Sequence, residues 1–220
     1  MKRIKYLFEQ TNMGFKKTAI NIHHTAMYAE NDIKEQFEAV NEAHRVRWNG
    51  KTKSAMGFYG GYHYIVERSG AIQQFRNDWE TGAHNNKGIK LVNFIPVSAN
   101  YYAIGITFAG NMSRQYLTDE QVKAGVELIL KLQKDYNIPD KNVLPHRHYR
   151  STQCPGNNIP DKVWRELCEM YENLDEGGSW KEKTTDWAIE NKITKSGERP
   201  NDPMTRVEVW QTLKNIEDGS

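Results

Sequence analysis

Two imidazoles and a thiol in this chain, His23, His146 and Cys154, are of the types that zinc prefers. A catalytic zinc takes three protein ligands and leaves a fourth position for water, and these three residues can supply such a set. His146 and Cys154 are the ends of the run HRHYRSTQC, short enough for a loop to fold back and present both to one ion. His23 reaches the same point from a distant strand end. A structural zinc site would instead want four ligands in close pairs.

The other candidates have plainer roles. His44 lies on an amphipathic helical stretch, where a histidine is packed or solvated more often than it is a ligand. Cys168 falls beside Trp164 and Leu167 in another helical stretch, as an inert buried thiol would. His24 points to the face opposite His23 if the segment is extended, so at most one of the two ligates.

These residues need elements to position them. Thr18 to Ile22 is a β-prone run that delivers His23 and His24 into a loop, and Asp32 to Trp48 has helical spacing of Ile33, Phe37, Val40 and His44. Tyr59 to Val66 reads as a strand, turned by Arg68-Ser69-Gly70 into Ala71 to Phe75 as a hairpin. Tyr102 to Phe108 is a further strand. Thr118-Asp119-Glu120-Gln121 has the form of a capping box and opens a helix through Val122, Val126, Ile129 and Leu132 to about Asn137. Asn142 to Pro145 is extended and places His146 at its end, and a last helix runs from about Pro160 to Asn173. The pattern predicts an α/β or α+β domain, a central mixed sheet flanked by helices.

Hydrophobic residues at 38% and charged residues at 26% exclude a disordered chain. A formal charge of +2 is too balanced for a strong claim on nucleic acid. Two cysteines do not make a disulfide framework, which suits synthesis in a reducing cytoplasm. The first residues, MKRIKYLFEQTNMGFKK, are basic without an apolar run of signal-peptide length, and no stretch is long and apolar enough to span a membrane. Composition shifts at Asp175-Glu176-Gly177-Gly178-Ser179, so the expected organisation is a domain over 1–174, a linker over 175–179 and a small, mainly helical module over 180–220. So short a module is marginal alone and is expected to dock or oligomerise.

The segments INIHHTA, GGYHYIVERSG, ANYYAIGITFAGN and LPHRHYRSTQCPG occur in an order and spacing that resembles the zinc-dependent N-acetylmuramoyl-L-alanine amidases of type 2. That family includes a phage lysozyme and the peptidoglycan recognition proteins. The resemblance runs over roughly residues 17 to 172. It implies an enzyme that cuts the amide between N-acetylmuramic acid and L-alanine in peptidoglycan, with one Zn2+ held by His23, His146 and Cys154. It also places the Tyr62 hydroxyl toward the attacking water or the substrate oxyanion. Thr152 stands where some members have a lysine, offering a hydroxyl in place of a cation. His84 in TGAHN falls where relatives have a histidine near the substrate cleft, which implies contact with glycan or stem peptide. Ala103 replaces the Ser or Thr that often precedes IGI.

The tail, TDWAIENKITKSGERPNDPMTRVEVWQTLKN, resembles one S-layer homology module, which implies either binding to a secondary cell-wall polymer or a dimerising, docking role. Together the two resemblances imply a phage or prophage endolysin of a Gram-positive host, made in the host cytoplasm and acting on the wall after release. Two other readings compete: a non-catalytic recognition protein of the same fold, and a cytoplasmic amidase that recycles wall fragments. Cys154 weighs against the first and the wall-type tail against the second.

Overall fold

The run Ala-Ile-Asn-Ile-His-His forms strand β1, Ala19–His24, every residue of it buried. A computed structural model describes residues 15–27, 35–85, 89–92 and 95–172. Along the chain follow α1 (Phe37–Arg47), β2 (Tyr64–Val66), β3 (Ile72–Gln74), β4 (Ile89–Val92), β5 (Ile95–Ser98) and the short α2 (Ala99–Tyr102). Then come β6 (Ala103–Phe108), α3 (Asp119–Tyr136), β7 (Val143–Pro145), the four-residue α4 (His146–Tyr149) and α5 (Val163–Glu172). The expected linker and C-terminal module lie outside the described residues.

Five strands make one mixed sheet in the order β3-β2-β6-β1-β7, and β4 and β5 pair separately as an antiparallel hairpin. β1 is parallel to both β6 and β7, β6 is parallel to β2, and β3 closes the edge antiparallel to β2. The register sets Asn21 opposite Gly105 and His23 opposite Thr107.

Side chains alternate across a strand, so β1 and β6 each present two different faces. Ile20, Ile22, Ile104, Ile106 and Phe108 join the main core with Val126, Ile129 and Leu132 of α3 and Trp164 and Leu167 of α5. There the Phe108 and Trp164 rings stack at 4.6 Å. The other face of the same strands carries Asn21, His23, Gly105 and Thr107, all fully or almost fully buried. Apolar packing holds the sheet from one side and leaves a polar floor on the other. Phe37, Val40, Ile65 and Phe75 make a smaller core where α1 meets the edge of the sheet.

The capping box is present as the sequence predicts: Thr118 Oγ1 accepts from the Gln121 N–H, and the Gln121 side chain accepts from the Thr118 N–H. The structure departs from the sequence reading elsewhere. The strand expected over 59–66 is regular only from Tyr64. Before it, the Tyr59 N–H donates to Asn41 Oδ1 and the Gly61 N–H to His44 Nδ1, so side chains of α1 take the backbone donors that a strand neighbour would use. His23 and His24 end inside β1 rather than in a loop, and the β4–β5 hairpin is additional to the strands expected from the sequence.

Candidate metal centre

β1 and β7 run parallel with Ile22 opposite Pro145, so the residues that follow each position, His23 and His146, arrive side by side. Their rings lie 4.4 Å apart between centroids. Cys154 comes from the loop after α4, and its Sγ is 3.7 Å from His23 Nδ1. One ligand atom from each of His23, His146 and Cys154 lies within 4.8 Å of the other two.

The loop that carries Cys154 is clamped from both sides. Arg147, next to His146, donates from its guanidinium to the carbonyls of Gly156 and Ile159 and pairs with Asp161 at 2.8 Å. Its own N–H donates to the Cys154 carbonyl. Opposite, His24 Nδ1 accepts from the Met112 N–H, and the Met112 carbonyl accepts from the Asn158 N–H. His24 thus turns away from His23, as extended geometry predicts, and anchors the same loop. Gly156 has a φ of +100°, and a Cβ there would meet the Met112 carbonyl carbon at 2.4 Å, so glycine is required where the loop crosses Met112.

Three donors of this kind suit zinc. Nitrogen and thiolate ligands at about 2.0–2.3 Å from a tetrahedral ion sit about 3.3–3.7 Å from one another. The separation of His23 and Cys154 is of that size, and His146 Nε2 is buried without a hydrogen-bond partner. The residues present therefore fit the metal.

Burial sets the protonation of the centre. It pushes His146 down to about 4, helped by Arg150, and drives His23 well below the ordinary histidine range, helped by His84 and His146. Both imidazoles are neutral at pH 7, as ligands must be. Burial pushes the Cys154 thiol up to about 11, so a bound cation is what would favour the thiolate there.

Tyr62 stands at the rim, its ring 5.0 Å from that of His23. Burial, with the Cys154 thiolate charge second, raises its phenol above the usual range and keeps it protonated, while the neighbouring Thr107 hydroxyl acts in the opposite sense. Thr152 Oγ1 accepts from the Cys154 N–H at 3.3 Å, which makes Thr152 part of the turn and leaves its hydroxyl hydrogen to donate elsewhere. His84 is only 8% exposed and stands behind His23, with its Nδ1 3.0 Å from His23 Nε2. His44 accepts from the Gly61 N–H and packs on Trp48 and Tyr62, and it is not one of the three clustered ligands. Cys168 is buried in α5, as expected for an inert thiol.

Two neighbours of the site carry no signal in the sequence: Thr107, opposite His23 in the register, and His63, whose ring lies 5.7 Å from that of His84. Thr107 is recognisable only once β6 is known to lie in register with β1. His63 sits in the aromatic run GYHY, where its Nε2 donates to the Glu80 carbonyl and its Nδ1 accepts from the Gly105 N–H. Lys17, fully buried and lowered to about 8 by desolvation, also donates to the Glu80 carbonyl and fixes the segment that leads to His84.

The chain is 30% identical over 108 residues to peptidoglycan-recognition protein SC2 of Drosophila simulans, a stretch that covers 49% of this chain and 50% of the relative. It therefore spans about half the length of the curated relatives it matches. Its fold is similar to that of the N-acetylmuramoyl-L-alanine amidase LysC from Clostridium intestinale, with a TM-score of 0.53, 26% identity, and coverage of 72% of this chain and 87% of that one. An endolysin of a Thermus scotoductus bacteriophage superposes with a TM-score of 0.51 at 19% identity, over 74% of this chain and 95% of that one, a likeness of fold alone. Residues 15–157, more than half of the chain, match the N-acetylmuramoyl-L-alanine amidase family, and the protein belongs to that family.

Proposed function

We propose that this protein is a zinc-dependent peptidoglycan amidase of the endolysin type, hydrolysing the amide between N-acetylmuramic acid and the L-alanine of the stem peptide. The observation that carries this reading is the convergence of His23, His146 and Cys154 from three separate elements onto one point beside Tyr62. A zinc ion bound there would supply Lewis acidity and a water that ionises near neutral pH.

The chain's own residues do the rest. Tyr62, kept protonated by burial, donates a hydrogen bond to the carbonyl oxygen as it gains charge. Thr152 offers a second donor at the edge of the same loop. The Arg147 clamp and the His24–Met112 bond hold Cys154 in place, so that little reorganisation accompanies the reaction.

The similarity to recognition proteins favours a second reading, binding of peptidoglycan without cleavage. Both are tested by measuring zinc content and digesting purified Gram-positive cell walls with the wild type and Cys154→Ser, identifying new chain ends by mass. About one zinc per chain and new N-terminal alanine, both lost in the variant, support the amidase. Wall binding by a metal-free protein that releases no alanine ends makes this a recognition domain and removes the mechanism.

A further inference from the structure

His84 and His23 form a directed pair whose hydrogen-bond sense is fixed by what surrounds each nitrogen. His23 Nδ1 faces Cys154 Sγ, so as a ligand it must present a lone pair there and carry its proton on Nε2. That Nε2 lies 3.0 Å from His84 Nδ1, which must then accept. The remaining His84 nitrogen, Nε2, then carries the other proton; it is buried and has no hydrogen-bond partner of its own, and the Ala103 backbone close to the ring favours its protonated form. Each nitrogen has one role and the roles do not conflict.

The His84 ring is also fixed in space. A Cβ on Gly82 would come within 2.4 Å of it and a Cβ on Gly105 within 2.7 Å, so two glycines open the slot that the ring fills. Its backbone is held as well, since the N–H groups of His84 and Asn85 both donate to Asn100 Oδ1 at 3.0 and 2.7 Å. A side chain 8% exposed and closed in by backbone has little surface left for a glycan or a peptide.

We propose that His84 is a positioning residue for the metal ligand His23: it accepts the Nε2–H and holds the imidazole with its Nδ1 turned to the metal. This rests on the reading of His23 as a zinc ligand. Partners of this kind commonly change metal affinity about 10- to 100-fold when removed.

The test is zinc affinity of the full chain, by competition with a chromophoric chelator, for the wild type, His84→Ala and His84→Asn, with thermal melts of the metal-free proteins alongside. His84→Ala is expected to bind zinc about 10- to 100-fold more weakly. His84→Asn, whose amide oxygen can accept near the position of Nδ1, is expected to recover most of that loss. Wild-type affinity in His84→Ala overturns the proposal, and a raised KM with unchanged zinc affinity returns His84 to the substrate cleft. An equal loss in both variants that tracks the melts makes the ring a packing element only, which also overturns it. A wild type that takes up no zinc defeats the metal reading itself. Nitrogen-15 spectra of the imidazoles in the zinc-loaded wild type need no variant: a proton on His23 Nε2 is expected, and one on Nδ1 refutes the pair.

Discussion

Cys154 Sγ lies 3.7 Å from His23 Nδ1 across 131 positions of sequence, joined by no element common to both. Burial holds the thiol protonated up to about 11, so in the metal-free chain Cys154 is a poor nucleophile. Cys154→Ser is expected to keep the fold and to bind zinc at least about 100-fold more weakly, because a hydroxyl does not replace a thiolate as a ligand. A competition titration measures this, with circular dichroism as the control for folding. Unchanged affinity would remove Cys154 from the ligand set.

Tyr62→Phe removes one hydroxyl and keeps the ring beside His23. Loss of a single oxyanion donor costs about 100- to 1,000-fold in kcat, and a fall of that size is expected here with zinc affinity unchanged. A fall confined to KM would instead place the hydroxyl in ground-state binding of the substrate.

His44 contributes to a loss of stability in acid that it shares with the other buried histidines, His23, His24, His63, His84 and His146, all of them lowered by burial. Burial lowers His44 to about 4, with Arg47 and Arg76 adding to the effect, whereas in the unfolded chain it protonates near 6.5. Between those values the unfolded state binds more protons, so stability is full above about 6.5 and falls as the pH drops toward 4. His44→Asn can still accept from the Gly61 N–H and does not titrate. Urea unfolding at pH 7 and pH 4.5 should show the variant losing about 1–2 kcal/mol less than the wild type on acidification, after allowance for partial exposure. Equal losses would show that His44 does not contribute to the acid response.

Gln121 joins helix to sheet. Its Nε2 donates to the carbonyls of Val66 and Ala109 at 3.1 and 2.9 Å while its Oε1 completes the capping box. Gln121→Ala takes a donor from two buried carbonyls, of which that of Val66 keeps the Ala109 N–H while that of Ala109 loses its side-chain partner, and is expected to cost about 2–4 kcal/mol, against about 1–2 kcal/mol for Thr118→Ala, which loses the cap and the hydroxyl's bond to the Arg68 carbonyl. Denaturant melts compare them. A smaller cost for Gln121→Ala than for Thr118→Ala would mean that the bridge to the sheet contributes nothing.

Much of this was legible in the chain. The capping box, the apolar period of α3, and the alternation of Ile20, Asn21, Ile22 and His23 are local patterns, and local patterns fix element type because backbone geometry has the same period wherever it occurs. The ligand types were legible for a similar reason: zinc chemistry selects imidazole and thiolate, and the chain has few of either in suitable places. What only the tertiary structure decided is who meets whom. Asn41 and His44 take the donors of residues 59–61 and shorten a strand that composition alone would extend. Thr107 lies opposite His23 because β6 pairs with β1 in register, and His63 reaches the His84 ring because the residue just before β2 bonds to Gly105 of β6. His84, which the sequence resemblance puts near a cleft, lies beneath His23 in a slot opened by Gly82 and Gly105. Such relations depend on the relative placement of segments far apart in sequence, and neither periodicity nor residue type carries that information.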